Sequence, residues 1–496
     1  LLSQRVLAEF FKTVWHIVVP SVPLEWGWHL DAMCEHLEAV TKGQIKNLII
    51  TVPPGCAKSN LVSVVWPAWV WATDPQVRWL FASNESDLAT RDSLACRYVL
   101  TSDWYKEYFP DVQLVGDQNV KTWYQTSARG HRQAVGVAAK VTGKKGDILV
   151  VDDPNDATKV EGEADRKAVI GWWKDAFFDR VNDFKTGRRV VIGQRTHRND
   201  LIGWIKETGG FEELMIPEEY EPARKYVTSL GWSDPRTKEG ELLRPNRFPE
   251  EQVVDAKTRL GTIGYRAKHQ QDPQSKEGYR FKRKWFRYYS YDGDFLLLDD
   301  QGRNPKPERF LPHRQLRFGT ADGAASSKTS ADYTAISGWL VSPHQDLVWM
   351  GCRREQIEIP DQPDVLAEEY KKHGMDWVGI EAVMSNVALY QHAKRMKMVV
   401  RKLDPEGKDK LARATPAIVF VENGQLWLPE PELAKRIGFP LDAVISELTA
   451  FTGDDKADDH DDIVDNLAYA VKEKNKMPVG GTGNPVSSWS PKGVFQ

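Results

Sequence analysis

Four short, unbroken apolar runs constrain the fold of this chain more than any other feature. They are residues 47–52 (NLIITV), 78–83 (RWLFAS), 147–151 (DILVV) and 189–193 (RVVIG). A continuous apolar run bounded by turns suits a strand covered on both faces, as in a parallel sheet flanked by helices. Helical stretches separate these runs, and residues 1–45 also read as helical, most clearly over 26–40 (WGWHLDAMCEHLEAV). A second set of strands is expected at 316–321, 333–340, 347–351 and 377–380, closed by a helix over 459–474. The expected class is α/β throughout. Residues 1–210 form a first domain and 301–475 a second. Residues 211–300, polar and rich in Pro, Glu and Lys, read as a lid or linker, and the Gly-, Pro- and Ser-rich stretch 476–496 as a flexible tail.

Composition narrows the function classes. Sixty-seven basic and 70 acidic residues leave a formal net charge of -3, so any nucleic-acid contact must be a local patch. The four cysteines, Cys34, Cys56, Cys96 and Cys352, form no C-x-x-C pair. Neither a disulfide framework nor a zinc site is expected, and a reducing compartment fits best. The apolar stretch 61–72 contains Pro67 and falls short of the roughly 20 residues a membrane span needs. No membrane partner is expected, and LLSQRVLAEFF at the start carries no basic leader of signal-peptide type.

The first apolar run leads into Pro53-Pro54-Gly55-Cys56-Ala57-Lys58-Ser59-Asn60, followed by a helix-like stretch. Strand, tight loop, Lys-Ser and helix is the layout of a nucleotide phosphate loop, whose backbone N–H groups cradle phosphates. In this reading residues Pro54 to Asn60 bind the nucleotide, Lys58 neutralises its β- and γ-phosphates, and Ser59 ligates Mg²⁺. The standard pattern has Gly where this chain has Val52 and Ala57, so a plain strand-turn-helix with an exposed Lys remains the alternative. The third run ends in Asp152-Asp153, which places two carboxylates at the strand edge where open α/β sheets bind ligands. Asp152 is expected to hold Mg²⁺, and Asp153 to orient or deprotonate the attacking water. A D-D-P-N turn capping a helix is the alternative. The fourth run delivers Gln194 and Thr196 to the same edge as γ-phosphate sensors. Arg195 either stabilises transition-state charge or pairs with an acidic neighbour.

A second group of acids sits at the ends of later elements. Asp322 follows 316–321, Glu381 follows 377–380, and Asp461 and Asp462 open the last helix. Carboxylates converging from two strands and a helix can hold two divalent ions about 4 Å apart, the geometry of phosphodiester cleavage. Asp332 could assist. Asp465, one helical turn on, reads as a supporting or solvated acid, and His460 as a proton shuttle or a helix cap. The alternative for each acid alone is a cap or a surface charge.

In their order these motifs resemble the large subunit of tailed-phage or prophage terminases. The carriers are PPGCAKS, VTGKKGDILVVDDP, VVIGQRTHRNDLIG, YRAKHQQDPQSKEGYRFKRKWF, GTADGA, GIEA and HDDIVDNLAYA, spanning about 26–470. The resemblance implies an N-terminal P-loop ATPase that drives double-stranded DNA into a procapsid. It also implies a C-terminal ribonuclease H-like nuclease that cuts concatemeric DNA. ATP and Mg²⁺ would be the cofactors, with Mn²⁺ possible in the nuclease. The implied partners are a portal protein on the procapsid, a terminase small subunit and further copies in a homo-oligomeric ring, all in the host cytoplasm. Lys58, Ser59, Asp152 and Asp153 match the family's ATPase residues, and Gln194 and Thr196 fall in its coupling motif. Asp322 and Glu381 match the first two nuclease ligands; Asp461 and Asp462 together cover the third. The chain departs from relatives in Gly55-Cys56 where many carry Arg, in Thr142-Gly143-Lys144-Lys145 where some carry a trans-acting Arg, and in Asp153 in place of Glu. Lys144, Lys145, Arg132 or Arg195 could supply the missing cation, or a neighbouring subunit could complete the site.

The run 279–289 (YRFKRKWFRYY) interleaves bases and aromatics. It serves either as a phosphate contact or as an edge strand with its aromatics inward. Residues 408–413 (KDKLAR) allow the same two readings, a phosphate contact or a solvated helix face. Trp66, Trp69, Trp71, Trp172 and Trp173 read as core. A helicase-nuclease and a decayed or structural DNA-binding protein are the rival classes. No helicase motif series follows Arg195, and every expected catalytic acid is present.

Overall fold

The computed structural model describes residues 5–273, 281–322, 333–382, 386–404, 410–453 and 462–477. The chain divides into two compact units, Leu1–Ser275 and Lys276–Gln496.

The first unit is built on eight strands: β1 (Asn47–Thr51), β2 (Trp79–Ser83), β3 (Leu114–Val120), β4 (Trp123–Thr126), β5 (His131–Gly136), β6 (Ile148–Asp152), β7 (Arg188–Gly193) and β8 (Glu212–Met215). Their spatial order is β3-β4-β5-β2-β6-β7-β1-β8. From β5 to β8 every neighbouring pair is parallel, while β3 and β4 add antiparallel strands beyond β5. The four apolar runs are the central strands β2, β6, β7 and β1. Their side chains alternate between two cores. Leu48, Ile50, Ile148 and Val150 join one face; Ile49, Leu149 and Val151 join the other. Two covered faces are what remove the polar alternation from the sequence. Beyond the loop at 53–59 the helix is π-wound over Asn60–Val65 and becomes α over Trp66–Trp71. Pro67 has no N–H to give and crowds the carbonyl a turn before it, which a widened turn relieves. Trp66, Trp71 and Trp173 are fully buried, and Trp69 and Trp172 nearly so, as core residues.

The second unit carries nine strands: β9 (Arg287–Asp292), β10 (Phe295–Leu298), β11 (Glu308–Phe310), β12 (Arg317–Asp322), β13 (Thr334–Val341), β14 (Leu347–Glu355), β15 (Trp377–Glu381), β16 (Val400–Leu403) and β17 (Leu426–Pro429). Their order is β11-β10-β9-β17-β14-β13-β12-β15-β16. At its centre β14, β13 and β12 run antiparallel, and β15 and β16 then run parallel to β12. The helix Asp462–Asn475 packs Ile463, Val464 and Leu467 into the core on one face of this sheet.

The region 211–300 is not one connector. Strand β8 extends the first sheet and the helix Glu250–Lys268 belongs to the first unit, whereas β9 and β10 join the second sheet. A polar average concealed single core residues: Leu214 and Ile216 sit in the first unit's core, Tyr289, Leu296 and Leu298 in the second's. Within 279–289, Tyr279 and Arg280 lie outside the described residues. Phe281, Phe286 and Tyr289 point inward and Arg283 and Lys284 outward. However, β9 lies between β10 and β17, so it is not an edge strand. All four cysteines are free and buried. Among the described residues no helix is long and apolar enough to cross a membrane.

Candidate functional site

The carboxyl ends of β1, β6 and β7 meet because these strands are adjacent and parallel. The loop after β1 turns through left-handed backbone at Gly55 (φ 78°) and Ala57 (φ 54°). Ala57 thus adopts, with a Cβ, the conformation that the standard pattern assigns to Gly, a local strain of the kind stored at functional sites. Asp153 is held at φ 45° directly after β6. The Lys58 ammonium lies 2.5 Å from Asp153 Oδ2. Burial pulls the Lys58 pKa down, but the charges of Asp153 and Asp152 outweigh it and hold the ammonium protonated. The Gln194 N–H donates to Asp153 Oδ1 at 3.2 Å. Asp153 and Gln194, with Asn84, Leu88 and Asn155, line a cavity at this edge.

Asp152 is buried beneath this pair. Burial first, and then the neighbouring charges of Asp153 and Asp92, push its carboxyl up to about 6 against the opposing pull of Lys58. Ser63 Oγ donates to Asp152 Oδ2 at 2.9 Å, while Oδ1 is buried without a hydrogen-bond partner. An orphaned carboxylate oxygen close to the Ser59 hydroxyl is an all-oxygen donor set suited to Mg²⁺. Sequence reasoning misses Ser63 and the anchoring it provides. Ser63 lies one helical turn beyond Ser59, and that spacing is the available signal.

Arg195 follows the second of its two readings. Its Nε reaches both oxygens of Asp200 at 3.0 and 3.1 Å, and its Nη2 donates to the His197 and Arg198 carbonyls. Asp200 also accepts from the N–H groups of Thr196, His197 and Gly203, so Arg195 braces a turn and a helix cap. Thr196 is held in that turn.

A second cavity of about 290 Å³ lies behind Gly55, Cys56 and Ala57, walled by Trp15, Trp26 and Arg244 among others. Arg244 Nη2 donates to the Pro54 carbonyl at 3.0 Å and pairs with the fully buried Glu218 at 2.7 Å. A Cβ at residue 55 would meet the Arg244 guanidinium at 3.2 Å, a second reason for glycine there. Cys56 is buried, and burial pushes its thiol up to about 12, so it lines the loop as an inert group. Arg244 comes from the stretch read as linker, 190 residues away in sequence, and nothing local marks it.

In the second unit Asp322 and Glu381 end the adjacent parallel strands β12 and β15, which places their carboxyls side by side. Burial and then the Glu381 charge push Asp322 well above the usual carboxylate range, with Asp465 and Asp462 adding to it. Tyr469 Oη donates to Glu381 Oε1 at 2.7 Å. Asp465 is buried and pairs with Arg413 at 2.7 Å, so it is no solvated charge. Asp462 faces Arg354 at 3.3 Å, and Arg354 also meets Glu447. Asp461, Asp332, His460, Lys408 and Asp409 lie outside the described residues. Among the described residues no three potential ligands are grouped at metal-holding distance. The structure thus brings together two of the expected acids, Asp322 and Glu381. The helix beginning at Asp462 brings Asp465, and not Asp462, into the more buried place beside them.

A mainly parallel sheet with a phosphate-type loop facing paired acids is the P-loop type of α/β arrangement. Carboxylates ending neighbouring strands of a mixed sheet define a ribonuclease H-like second unit. Residues 319–474 match the family model described as Terminase RNaseH-like domain. Among solved structures the chain is similar to the large terminase of a thermophilic bacteriophage in complex with ADP. Identity there is 10% over 88% of this chain and 98% of that one, with a TM-score of 0.45. The HK97 bacteriophage large terminase is 11% identical over 87% of this chain and 91% of that one, TM-score 0.35. The large terminase nuclease of thermophilic phage G20c with bound magnesium is 17% identical over 38% of this chain and 92% of that one, TM-score 0.25. No curated protein matches the chain.

Proposed function

We propose that this chain is the motor subunit of viral DNA packaging, hydrolysing ATP in its first unit and cutting concatemeric DNA in its second. The observation that carries this reading is the pair of separate acidic centres, each at the carboxyl edge of its own sheet. In the first, residues 54–60 cradle the ATP phosphates, and Lys58 leaves Asp153 to meet the β- and γ-phosphates. Ser59 and Asp152 hold Mg²⁺, which when bound neutralises phosphate charge. Asp153, freed from Lys58, accepts a proton from the attacking water, and Gln194 and Thr196 report the γ-phosphate to the turn braced by Arg195. The cavity walled by Trp26 and Arg244 receives the nucleoside.

In the second centre Asp322 and Glu381, with an acid from the 461–465 segment, hold Mg²⁺ or Mn²⁺, which when bound activates water and stabilises the leaving oxygen. Double-stranded DNA, a portal protein on the procapsid, a terminase small subunit and further copies in a ring are the partners, in the host cytoplasm. Outward bases such as Arg283 and Lys284 contact phosphates without reading sequence. The test is packaging into purified procapsids: the chain should protect DNA in an ATP-dependent way, and Lys58→Ala should abolish this. Packaging that persists without this chain's ATPase would refute the motor assignment.

A further inference from the structure

The ATPase reading leaves one role unfilled. Hydrolysis at a phosphate loop is accelerated by a guanidinium or ammonium that meets charge building on the transferred phosphoryl group. The sequence candidates do not fill it. Arg195 is committed to Asp200 and two carbonyls. Arg132 is fully buried over the Phe81 ring, opposite Trp79 at the amino end of β2. Lys144 and Lys145 precede β6, so they lie at its amino edge, whereas Asp152 and Asp153 lie at its carboxyl edge. A strand of this length separates the two edges by about 13 Å.

The helix Ser86–Thr101 leaves β2 at the acid-bearing edge. Ser83 is in register with Asp152, and the Asn84 N–H donates to the Asp153 carbonyl at 3.3 Å. Leu88, in the first turn, lines the cavity in front of Asp153 and Gln194. Asp92, one turn on, is buried and close enough to Asp152 to act on its carboxyl. Arg91 stands between them, three residues from Leu88 and so on the same side of the helix. Its Nε donates to Asp92 Oδ1 at 2.9 Å, and its side chain is 62% exposed. Neither of its Nη groups makes a hydrogen bond among the described residues. An anchored root and an uncommitted fork suit a side chain that closes over a bound phosphate.

We propose that Arg91 is the catalytic cation of the ATPase, acting within its own subunit on the γ-phosphoryl oxygens in the transition state. The proposal rests on the ATPase reading above. Water attacks the γ-phosphorus and passes a proton to Asp153. The bond from phosphorus to the bridging oxygen breaks, its electron pair leaves on ADP, and Arg91 meets the charge spread over the three equatorial oxygens.

The test compares Arg91→Ala and Arg91→Lys with the unaltered full-length chain. Turnover of ATP, binding of ATPγS and binding of ADP with aluminium fluoride, a mimic of the transition state, are measured for each. Arg91→Ala should lower kcat about a hundredfold or more, leave ATPγS affinity within about threefold, and lose the aluminium fluoride complex. Arg91→Lys should recover part of the rate. Unchanged melting confirms folding, since the side chain is exposed. A kcat within about threefold of the parent overturns the proposal, as does loss of ATPγS binding in parallel with kcat. Restored turnover on mixing Arg91→Ala with Lys58→Ala protein would also overturn it, because the cation would then act between subunits. A parent chain without ATP turnover overturns the ATPase reading itself, so the two failures are distinct.

Discussion

In the first unit Asp153 faces an ammonium 2.5 Å away; in the second, Asp322 faces another carboxylate, Glu381. In the first centre an ammonium of the same chain offsets the carboxylate, so on the proposed reading phosphate displaces an internal partner to enter. The second concentrates like charge at the end of two strands, and the cations Arg413 and Arg354 are taken by Asp465 and Asp462. A centre of the first kind carries its own counter-charge, which suits the proposed motor. A centre of the second kind is costly while empty, and external cations lower that cost.

The largest expected effect separates the two chemically. Lys58→Ala should reduce ATP turnover on the order of a thousandfold while leaving Mn²⁺-dependent plasmid cutting intact, and Asp322→Ala should do the reverse. Loss of both activities in either folded variant breaks the two-centre picture. A smaller effect is on stability and has opposite sign in the two units. Asp153→Asn removes the nearer of the two carboxylates beside the largely buried Lys58 and should destabilise the ligand-free protein by about 1–3 kcal/mol. Asp322→Asn removes repulsion and should stabilise it by about 1 kcal/mol. Denaturant melts without metal measure both. Equal signs would show that the centres do not differ in the way described. Adding Mn²⁺ should raise the melting temperature of the parent, and Asp322→Asn should lose that rise.

The smallest effects follow pH, also in opposite directions. His29 is buried near Arg244 and Arg236 and held down to about 4. Unfolded histidine binds protons first, so this contribution is complete above about pH 6.5 and lost as pH falls towards 4. Asp346, buried and then pushed up further by Glu308, titrates at about 6. Here the folded state binds the proton more readily, so stability falls as pH rises from about 4 to 6. Hydrogen exchange followed in each unit over this range separates the two contributions by mutation. Asp346→Asn should make the fall in the second unit less steep and leave the first unit's profile unchanged, and an unchanged slope in the second would remove Asp346 from the account.

Much of this arrangement was legible in the residues. Leu48 to Ile50 and Leu149 to Val151 read as strands because both faces are covered, which leaves no polar alternation to misread. Asp153 and Asp322 stood out because each follows an apolar run and each belongs to a group of acids in a set order, although a cap or surface charge would explain either one alone. Arg244 and Glu218 did not, since Arg244 reaches the Pro54 carbonyl and Glu218 pairs with Arg244, and a contact with backbone leaves no pattern in the sequence. Asp465 was discounted because helical spacing alone does not say which turn of the helix is buried.

The sequence by itself determined which residues form strands, which acids end them and where the phosphate-type loop lies, because these follow from local hydrophobic period and turn chemistry. Only the tertiary structure decided the partners: that Lys58 meets Asp153, that Arg195 is spent on Asp200, that Asp465 lies buried beside Asp322, and that Arg91 is left with an open fork. Pairing across β1, β2, β6 and β7 depends on strand order, which differs from chain order, and charge–charge contacts fall off too steeply with distance for sequence separation to stand in for it.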